Sequence, residues 1–268
     1  MELLADIGPW GAILTISGIF AIFSIGLQVQ VGHGGVDNFG QVGFFAIGAY
    51  ASAILVNRYD WNLWLSAVAA IAIAVVVSMI VVTPAIRLRG DFLAITLIAF
   101  SEIVRNIAIN ERQLTMGALG IDSFAFRDEV MRPLRTSLRA DGIEVDRLVP
   151  MLVTVWVLVF VVATVTWLLL RTPWGRVMRA VREDDAAVRA LGKNAFLYKA
   201  QAMGLGAACA ALAGVLYGWY QVHFSPTSFE PILTFIGFVI IIAAGVGSIW
   251  GAVVMSVVIQ GFLMEGSR

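Results

Sequence analysis

The run Trp167-Leu-Leu-Leu170-Arg171-Thr-Pro-Trp-Gly-Arg176-Val-Met-Arg179-Ala-Val-Arg182-Glu-Asp-Asp185-Ala-Ala-Val-Arg189-Ala-Leu-Gly192-Lys193 decides how the chain is laid out. A long apolar stretch ends at Leu170, a block of charge follows, and a second apolar stretch opens at Lys199. Crossing roughly 30 Å of hydrocarbon takes about 20 apolar residues, so the flanking stretches read as two membrane spans. Arg171, Arg176, Arg179, Arg182, Arg189, Lys193 and Lys199 outnumber Glu183, Asp184 and Asp185 in the connector. Lys and Arg gather on the cytoplasmic side near span ends, so this connector is placed inside. It is also too long and too patterned to be a mere link, and it reads as a docking surface for a cytoplasmic partner.

The rest of the chain follows suit. At 268 residues, 60% hydrophobic and 13% charged, with a mean hydropathy of +0.89, it lies far outside soluble composition. Candidate spans are Trp10–Val29, Gly35–Val56, Leu63–Ile86, Phe92–Ile109, Val149–Leu170, Lys199–Val222, Ile232–Ser248 and Gly251–Met264. The last two are separated only by Ile249-Trp250 and read equally well as one broken element. Trp10, Trp61, Trp64, Trp167, Trp174 and Trp219 fall near span ends, as interfacial aromatics do. The expected fold is an all-α polytopic membrane protein, one transmembrane domain over residues 1–268, with about eight transmembrane helices, some of them broken. The N-terminus Met-Glu-Leu-Leu-Ala-Asp has no basic region and no cleavage site follows the first span, so that span is expected to be retained.

With residues 171–199 inside, Arg87 and Arg89 are also inside and the N-terminus is outside. Residues 110–148 then form an extracytoplasmic loop, although they carry Arg112, Arg127, Arg132, Arg135, Arg139 and Arg147. Long loops weigh little in this rule, and the loop's acidic residues weigh less. A net charge of zero gives no sign of a nucleic-acid partner. Cys209, the single cysteine, sits in an apolar run as a small packing residue and excludes an intrachain disulfide.

Several motifs carry candidate chemistry. Val31-Gly-His-Gly-Gly-Val-Asp-Asn-Phe39 is glycine-rich and polar yet lies at membrane depth, with Gln28, Gln30, Asn38 and Gln41 around it. Irregular backbone at that depth must be buried in protein or line a watery cavity. Gly40-Gln-Val-Gly43-Phe44-Phe45-Ala-Ile-Gly48-Ala-Tyr50 follows, either a tight helix-packing patch or part of a translocation path. The path reading names Gln41, Phe44, Phe45, Gly48 and Tyr50. In the fourth span Glu102, Arg105 and Asn106 share one helical face. Either they face a bundle interior, which would put Glu102 and Asn106 on the path, or Arg105 snorkels to the interface. Gly245-Val-Gly247-Ser248 interrupts an apolar stretch, as broken helices at transport sites do. Packing alone explains the Gly214-x-x-x-Gly218 and Gly247-x-x-x-Gly251 spacings. His33 and His223 have no ligand-spaced companions, so a metal site is not expected. No triad-like set points to an enzyme, and no G-x-x-x-x-G-K-[ST] loop is present. Any ATP that powers transport is bound on another chain, and no cofactor is expected on this one.

These motifs coincide with one family. Gly26-Leu-Gln-Val-Gln-Val-Gly32-His-Gly-Gly35 through Gly40-Gln-Val-Gly-Phe44-Phe45-Ala-Ile-Gly48-Ala49-Tyr50 resembles the pattern of the LivM-type permeases. These are membrane subunits of ATP-driven importers for branched-chain amino acids. Thr172-Pro-Trp-Gly-Arg176 through Gly192 is similar to the family's S-P-F-G-R-A-L-R-A-I-R-E-D-E-x-A-A-x-A-L-G, and Ala244-Gly245-Val-Gly247-Ser248-Ile-Trp250-Gly251 to its G-G-L-G-S-L-W-G. Arg89-Gly90-Asp91-Phe-Leu-Ala-Ile-Thr96 and Phe100-Ser-Glu102-Ile-Val-Arg105 fit as well, so the likeness runs from about residue 11 to 255.

The resemblance implies a multi-pass subunit of the bacterial inner membrane, embedded in lipid. Its implied partners are a second, LivH-type permease, two cytoplasmic ATPases and a periplasmic substrate-binding protein. It makes residues 171–199 an EAA-like coupling loop, with a short cytoplasmic helix over Arg182–Gly192 seated in an ATPase groove. Arg179, Arg182, Glu183, Asp184 and Asp185 are then polar contacts, with Ala186, Ala187, Leu191 and Gly192 beside them. Residues 110–148 become the docking face for the binding protein. Gly245, Gly247 and Ser248 join the expected path. The family has Gln, Ser and His where this chain has Val36, Asn38 and Gln41, which loosens the implied specificity. Against the family pattern, a leading span and the usual C-terminal spans are expected to be missing. Urea, short amides and sugars are alternative cargoes. A stand-alone secondary transporter is the rival class, with only Glu102 as an ion-coupling acid, and a structural subunit of a larger complex is a third.

Overall fold

The computed structural model describes residues 8–85, 88, 91–123, 126–134, 136 and 148–265. Arg87, Arg89, Gly90, Arg135, Arg139 and Arg147, together with most of the second half of the 110–148 loop, lie outside the described residues. The chain is a helical bundle. Its main helices are α1 (Gly8–Leu27), α2 (Gln41–Tyr59), α3 (Leu63–Ala85), α4 (Asp91–Asn110) and α5 (Val149–Arg171). Next come the short α6 (Pro173–Glu183) and α7 (Asp185–Ala190), then α8 (Ala195–Gln221), α9 (Ile232–Ala244) and α10 (Ile249–Glu265). Among the described residues seven stretches are long and apolar enough to cross a membrane, and the shorter α10 is an eighth apolar helix.

Burial follows composition. α1 is apolar all round and is packed by α5, α8, α9 and α10. α8 presents Ala207, Ala210, Ala211, Ala213 and Gly214 to the interior, and these small residues let α2 approach closely. At the crossing a Cβ on Gly48 would overlap the Ala211 carbonyl oxygen, and one on Gly214 would overlap the Phe45 carbonyl oxygen. α4 and α5 lie at the periphery, with Phe92, Ile95, Ile103, Val157 and Phe160 turned outward.

Three expected boundaries are corrected. The second span begins at Gln41, not Gly35, because the first helix does not stop at Val29. It runs on as a π-helical turn over Gln28–His33, and residues 34–40 form an irregular link. The apolar segment near the C-terminus breaks at residues 245–248, and Ile249-Trp250 opens the next helix; Gly245 (φ 84°) and Gly247 (φ 97°) are in the region where a side chain is strained. The single helix expected over Arg182–Gly192 is two, divided at Asp184, whose extended backbone (φ −155°, ψ 102°) ends α6 and caps α7.

The ends of the bundle are distinct. At one end β1 (Ile121–Asp122) pairs antiparallel with β2 (His223–Phe224), with Asp122 opposite His223. Asn57, at the end of α2, donates to the Asp122 carbonyl there. Toward the other end lie α6 and α7, with the π turn and the break between α9 and α10 packed behind them. The order of spans between the two ends alternates, as a serpentine membrane chain requires.

Candidate functional site

The polar side chains gathered around residues 28–41 form one connected, buried cluster. Asn38 Nδ2 donates to Gln30 Oε1 at 3.1 Å and to Gln41 Oε1 at 2.8 Å, and Asn38 Oδ1 accepts from the Gly40 N–H at 3.0 Å. Gln30 Nε2 reaches the Met203 carbonyl at 3.3 Å, and Gln41 Nε2 reaches that of Gly206 at 3.0 Å. Gly206 lies about 16 Å along α8 from its start, at 1.5 Å per residue, so the cluster sits well inside the bundle. Buried amides are costly unless satisfied, and this arrangement satisfies them side chain to side chain and side chain to backbone. Gly206 has no side chain because Gln30 occupies the space a Cβ would need. The first turn of α2 has an orphan donor, the Val42 N–H, which the Thr234 hydroxyl accepts at 3.1 Å.

Gln28 joins this cluster's helix to the break. Its Nε2 donates to the carbonyls of Gly245 (3.1 Å) and Ser248 (3.3 Å), and its Oε1 accepts from the Gly247 N–H at 2.6 Å. Non-helical backbone at this position needs internal partners. One glutamine supplies three of them. Gly32 packs directly on the break, since a Cβ there would come 2.8 Å from the Gly247 nitrogen. The Gly32 carbonyl also accepts from Arg182 Nη1 at 2.5 Å, and Gly35 lies against the Arg182 backbone. A continuous contact thus runs from α6 through the π turn to the break.

The chain matches the family model described as "Branched-chain amino acid transport system / permease component" over residues 11–264. It belongs to that family. This permease chain is 33% identical over 259 residues to the high-affinity branched-chain amino acid transport system permease protein LivM of Salmonella typhimurium. It is equally similar to the LivM protein of Escherichia coli; each match covers 92% of the permease chain and 61% of the relative. The probable branched-chain amino acid transport permease protein LivM of Methanocaldococcus jannaschii is 28% identical over 277 residues, 88% of the permease chain and 75% of the relative. The permease chain thus spans 61% of the length of the two enteric relatives. No solved structure gives a significant match. The family and the apolar spans together make it a multi-pass membrane protein.

The permease's α6 and α7 are amphipathic. Met178, Val181 and Val188 are buried against the bundle, while Ala186, Ala187, Arg189 and Gly192 are exposed and Leu191 is 81% exposed. Asp184 is a cap: its carboxylate accepts from the N–H groups of Ala186 (2.9 Å) and Ala187 (3.0 Å). Asp185 bonds Arg189 at 2.5 Å and Lys199 at 3.3 Å. Burial works against its charge, but the bonds from Arg189 and Lys199 outweigh it and hold the carboxyl below the usual range. Because that pKa is lowered, the contribution is complete above the ordinary carboxylate pKa and is lost only as pH falls through the lowered value.

The sequence-named residues therefore divide. Gln41 belongs to the buried amide cluster with Gln30 and Asn38, and Gly245, Gly247 and Ser248 form the break that Gln28 holds. Arg182, expected to face an ATPase, turns its guanidinium toward Gly32, and Arg179 lines a cavity beside the break. Phe44, Phe45, Gly48 and Tyr50 are packed in the core: Phe44 against Phe100, Phe45 against Phe23, Tyr217 and Phe229, and Tyr50 against Phe224 and Phe229. Glu102 and Asn106 lie on peripheral α4 with local partners. Glu102 pairs with Arg105 at 2.8 Å, and Asn106 Nδ2 donates to the Glu102 carbonyl. Gln28, Gly32 and Gly35 were named only as parts of the polar, glycine-rich stretch, with no individual role, and Thr234 was not named at all. The polarity of Gln28 at a span end was a signal for it, while Thr234 gave none.

Proposed function

We propose that this chain is a passive membrane subunit of an ATP-driven importer that carries branched-chain or other hydrophobic amino acids inward. A second permease would complete the path, two ATPases would dock on the cytoplasmic face formed by α6 and α7, and a binding protein would deliver cargo to the opposite end. The relatives' printed names supply the substrate class. One observation carries the mechanism: a docking-type surface, capped by exposed Leu191, is tied through Arg182 and Gly32 to the helix break that Gln28 holds. A push on α6 and α7 would reach Gly245–Ser248 through bonded groups, without crossing a lipid-filled gap. Movement of α6 relative to α1 would alter the clamp on the break and with it access along the path. ATP and its chemistry belong to the partner subunits.

The rival carrier reading needs an acid free to take up an ion. Glu102, the acid it would use, is bound to Arg105 at two nitrogens. The test is uptake of labelled leucine, urea and a sugar by cells that make this chain with its partners, with co-purification of the complex. Leucine uptake that collapses in Leu191→Glu, together with loss of the ATPases from the purified complex, is the expected result. Uptake that persists without any associated ATPase, or that is confined to urea or sugar, would overturn it.

A further inference from the structure

Beside the break lies an open cavity of about 490 Å3, bounded by Trp167, Leu170 and Arg171 of α5, Arg179 of α6, His33 of the π turn and residues 245–250. Its size is in the range of small-ligand sites. The polar groups in it share one preference. Arg171 and Arg179 are in no ion pair among the described residues, and both face the cavity. The Arg171 guanidinium is held 3.6 Å from the Trp167 ring centroid, a stacking that orients it while leaving its N–H edge free. His33 is 5% exposed, and its Nδ1 lies 3.1 Å from the Gln28 carbonyl. A carbonyl only accepts, so Nδ1 carries the hydrogen, and Nε2 is left to accept from a hydroxyl in the neutral ring.

Two guanidiniums in no ion pair among the described residues, together with an acceptor suited to a hydroxyl, suit a phosphate ester that bears hydroxyl groups. Trp167, Leu170 and Arg171 are in the last turns of α5, an apolar stretch long enough to cross a membrane, so this wall of the cavity lies at a span end, where aromatic residues and lipid headgroups meet. We propose that this cavity binds the phosphate of a glycerol-type anionic phospholipid headgroup, in contact with Arg171, Arg179 and His33. The lipid would then brace α5, α6 and the break as one unit at the point where Gln28 and Arg182 also act. The binding itself needs no ATPase and no transport.

The test uses the full chain purified in detergent, with native mass spectrometry against phosphatidylglycerol, phosphatidylcholine and inorganic phosphate. Phosphatidylglycerol is expected to remain bound and phosphatidylcholine to be displaced. Arg171→Gln and Arg179→Gln should each weaken phosphatidylglycerol binding by about fivefold, the worth of one arginine near an anionic surface. Arg176→Gln, an exposed arginine outside the cavity, controls for loss of general charge and should leave binding unchanged. Equal weakening in all three variants, or equal retention of the two lipids, would overturn the proposal. Millimolar inorganic phosphate that displaces the lipid completely would overturn the lipid source and assign the site to soluble phosphate. Should a variant unfold, the wild-type comparison of the two lipids and phosphate decides on its own.

Discussion

Arg182 Nη1 donates to the Gly32 carbonyl oxygen at 2.5 Å, joining residues 150 apart in the chain. Gly32 in turn packs on Gly247, so the bond links the surface helix α6 to the broken element within one residue's thickness. A hydrogen bond to a charged donor contributes about 1.5–3 kcal/mol net, and the lower end applies where the donor is partly exposed. If the chain works with ATPases as proposed, Arg182→Gln is expected to leave the complex assembled and ATP hydrolysis running while uptake per ATP falls about tenfold. Lysine at the same position should restore part of the ratio. Parallel measurement of hydrolysis and uptake in proteoliposomes checks this; an unchanged ratio in both variants would show that the contact carries no work.

Gln28 is the next link, and its prediction concerns stability first. Gln28→Met keeps the volume but removes one acceptor and two donors from the Gly245, Gly247 and Ser248 backbone. A buried group left unsatisfied costs about 1–3 kcal/mol. At roughly 2–4 °C per kcal/mol for a chain of this size, the unfolding midpoint in detergent should fall by several degrees. Uptake should fall with it. A midpoint equal to wild type would mean that the break is held by groups other than Gln28.

Hydrophobicity made the spans legible because lipid imposes its thickness on the sequence, and Leu63–Ala85 and Val149–Arg171 fall within a residue of their expected bounds. Residues 28–40 were legible only as polar at membrane depth. Whether the backbone there is α, π or irregular depends on partners such as Met203 and Gly206, more than 160 residues away in sequence. Phe45 and Gly48 show the opposite failure. A glycine-rich aromatic run looks alike whether it lines a path or seats a neighbouring helix, and only the position of Ala211 and Gly214 on α8 distinguishes the two. Asp184 was read as a partner contact, although its carboxylate is turned to the N–H groups of the next helix.

That helix crossing supplies a sharp prediction. Backbone carbonyls of Phe45 and Ala211 occupy the space a methyl group would need on Gly214 and Gly48. Gly214→Ala and Gly48→Ala should each cost about 1–3 kcal/mol or more, since backbone yields less readily than a side chain. Gly261→Ala, in α10 with no heavy atom within 4 Å of the new Cβ, should instead stabilise by up to about 1 kcal/mol through helix propensity. Thermal midpoints of the three variants should therefore fall on both sides of wild type. The same loss in all three would show that the crossing is no tighter than the rest of the bundle.

Tyr50 separates path from packing. Its hydroxyl is buried without a hydrogen-bond partner among the described residues, beside Phe224 and Phe229. Removing an orphan hydroxyl relieves a desolvation cost, so Tyr50→Phe should be neutral or stabilising by about 0–2 kcal/mol, with uptake unchanged. A several-fold fall in uptake at preserved stability would return Tyr50 to the translocation path, as a group that meets the cargo or its water.

Leu191 tests the docking surface without disturbing the fold. A large apolar side chain 81% exposed contributes little to folding, so Leu191→Glu should change stability by no more than about 0.5 kcal/mol. If the ATPase seats this residue in a groove, the same substitution buries a charge there and should cost 2 kcal/mol or more in association, about thirtyfold. Glu183→Ala, at the polar edge of the same surface, should weaken association less and more so at low salt, because exposed charges are screened. Asp184→Ala cannot stand in for either, since it also removes the α7 cap, worth about 1 kcal/mol. Pull-down of the ATPases by each full-length variant, at low and high salt, distinguishes an apolar anchor from a general charge effect. Equal retention by Leu191→Glu and wild type would move the docking site away from α6 and α7.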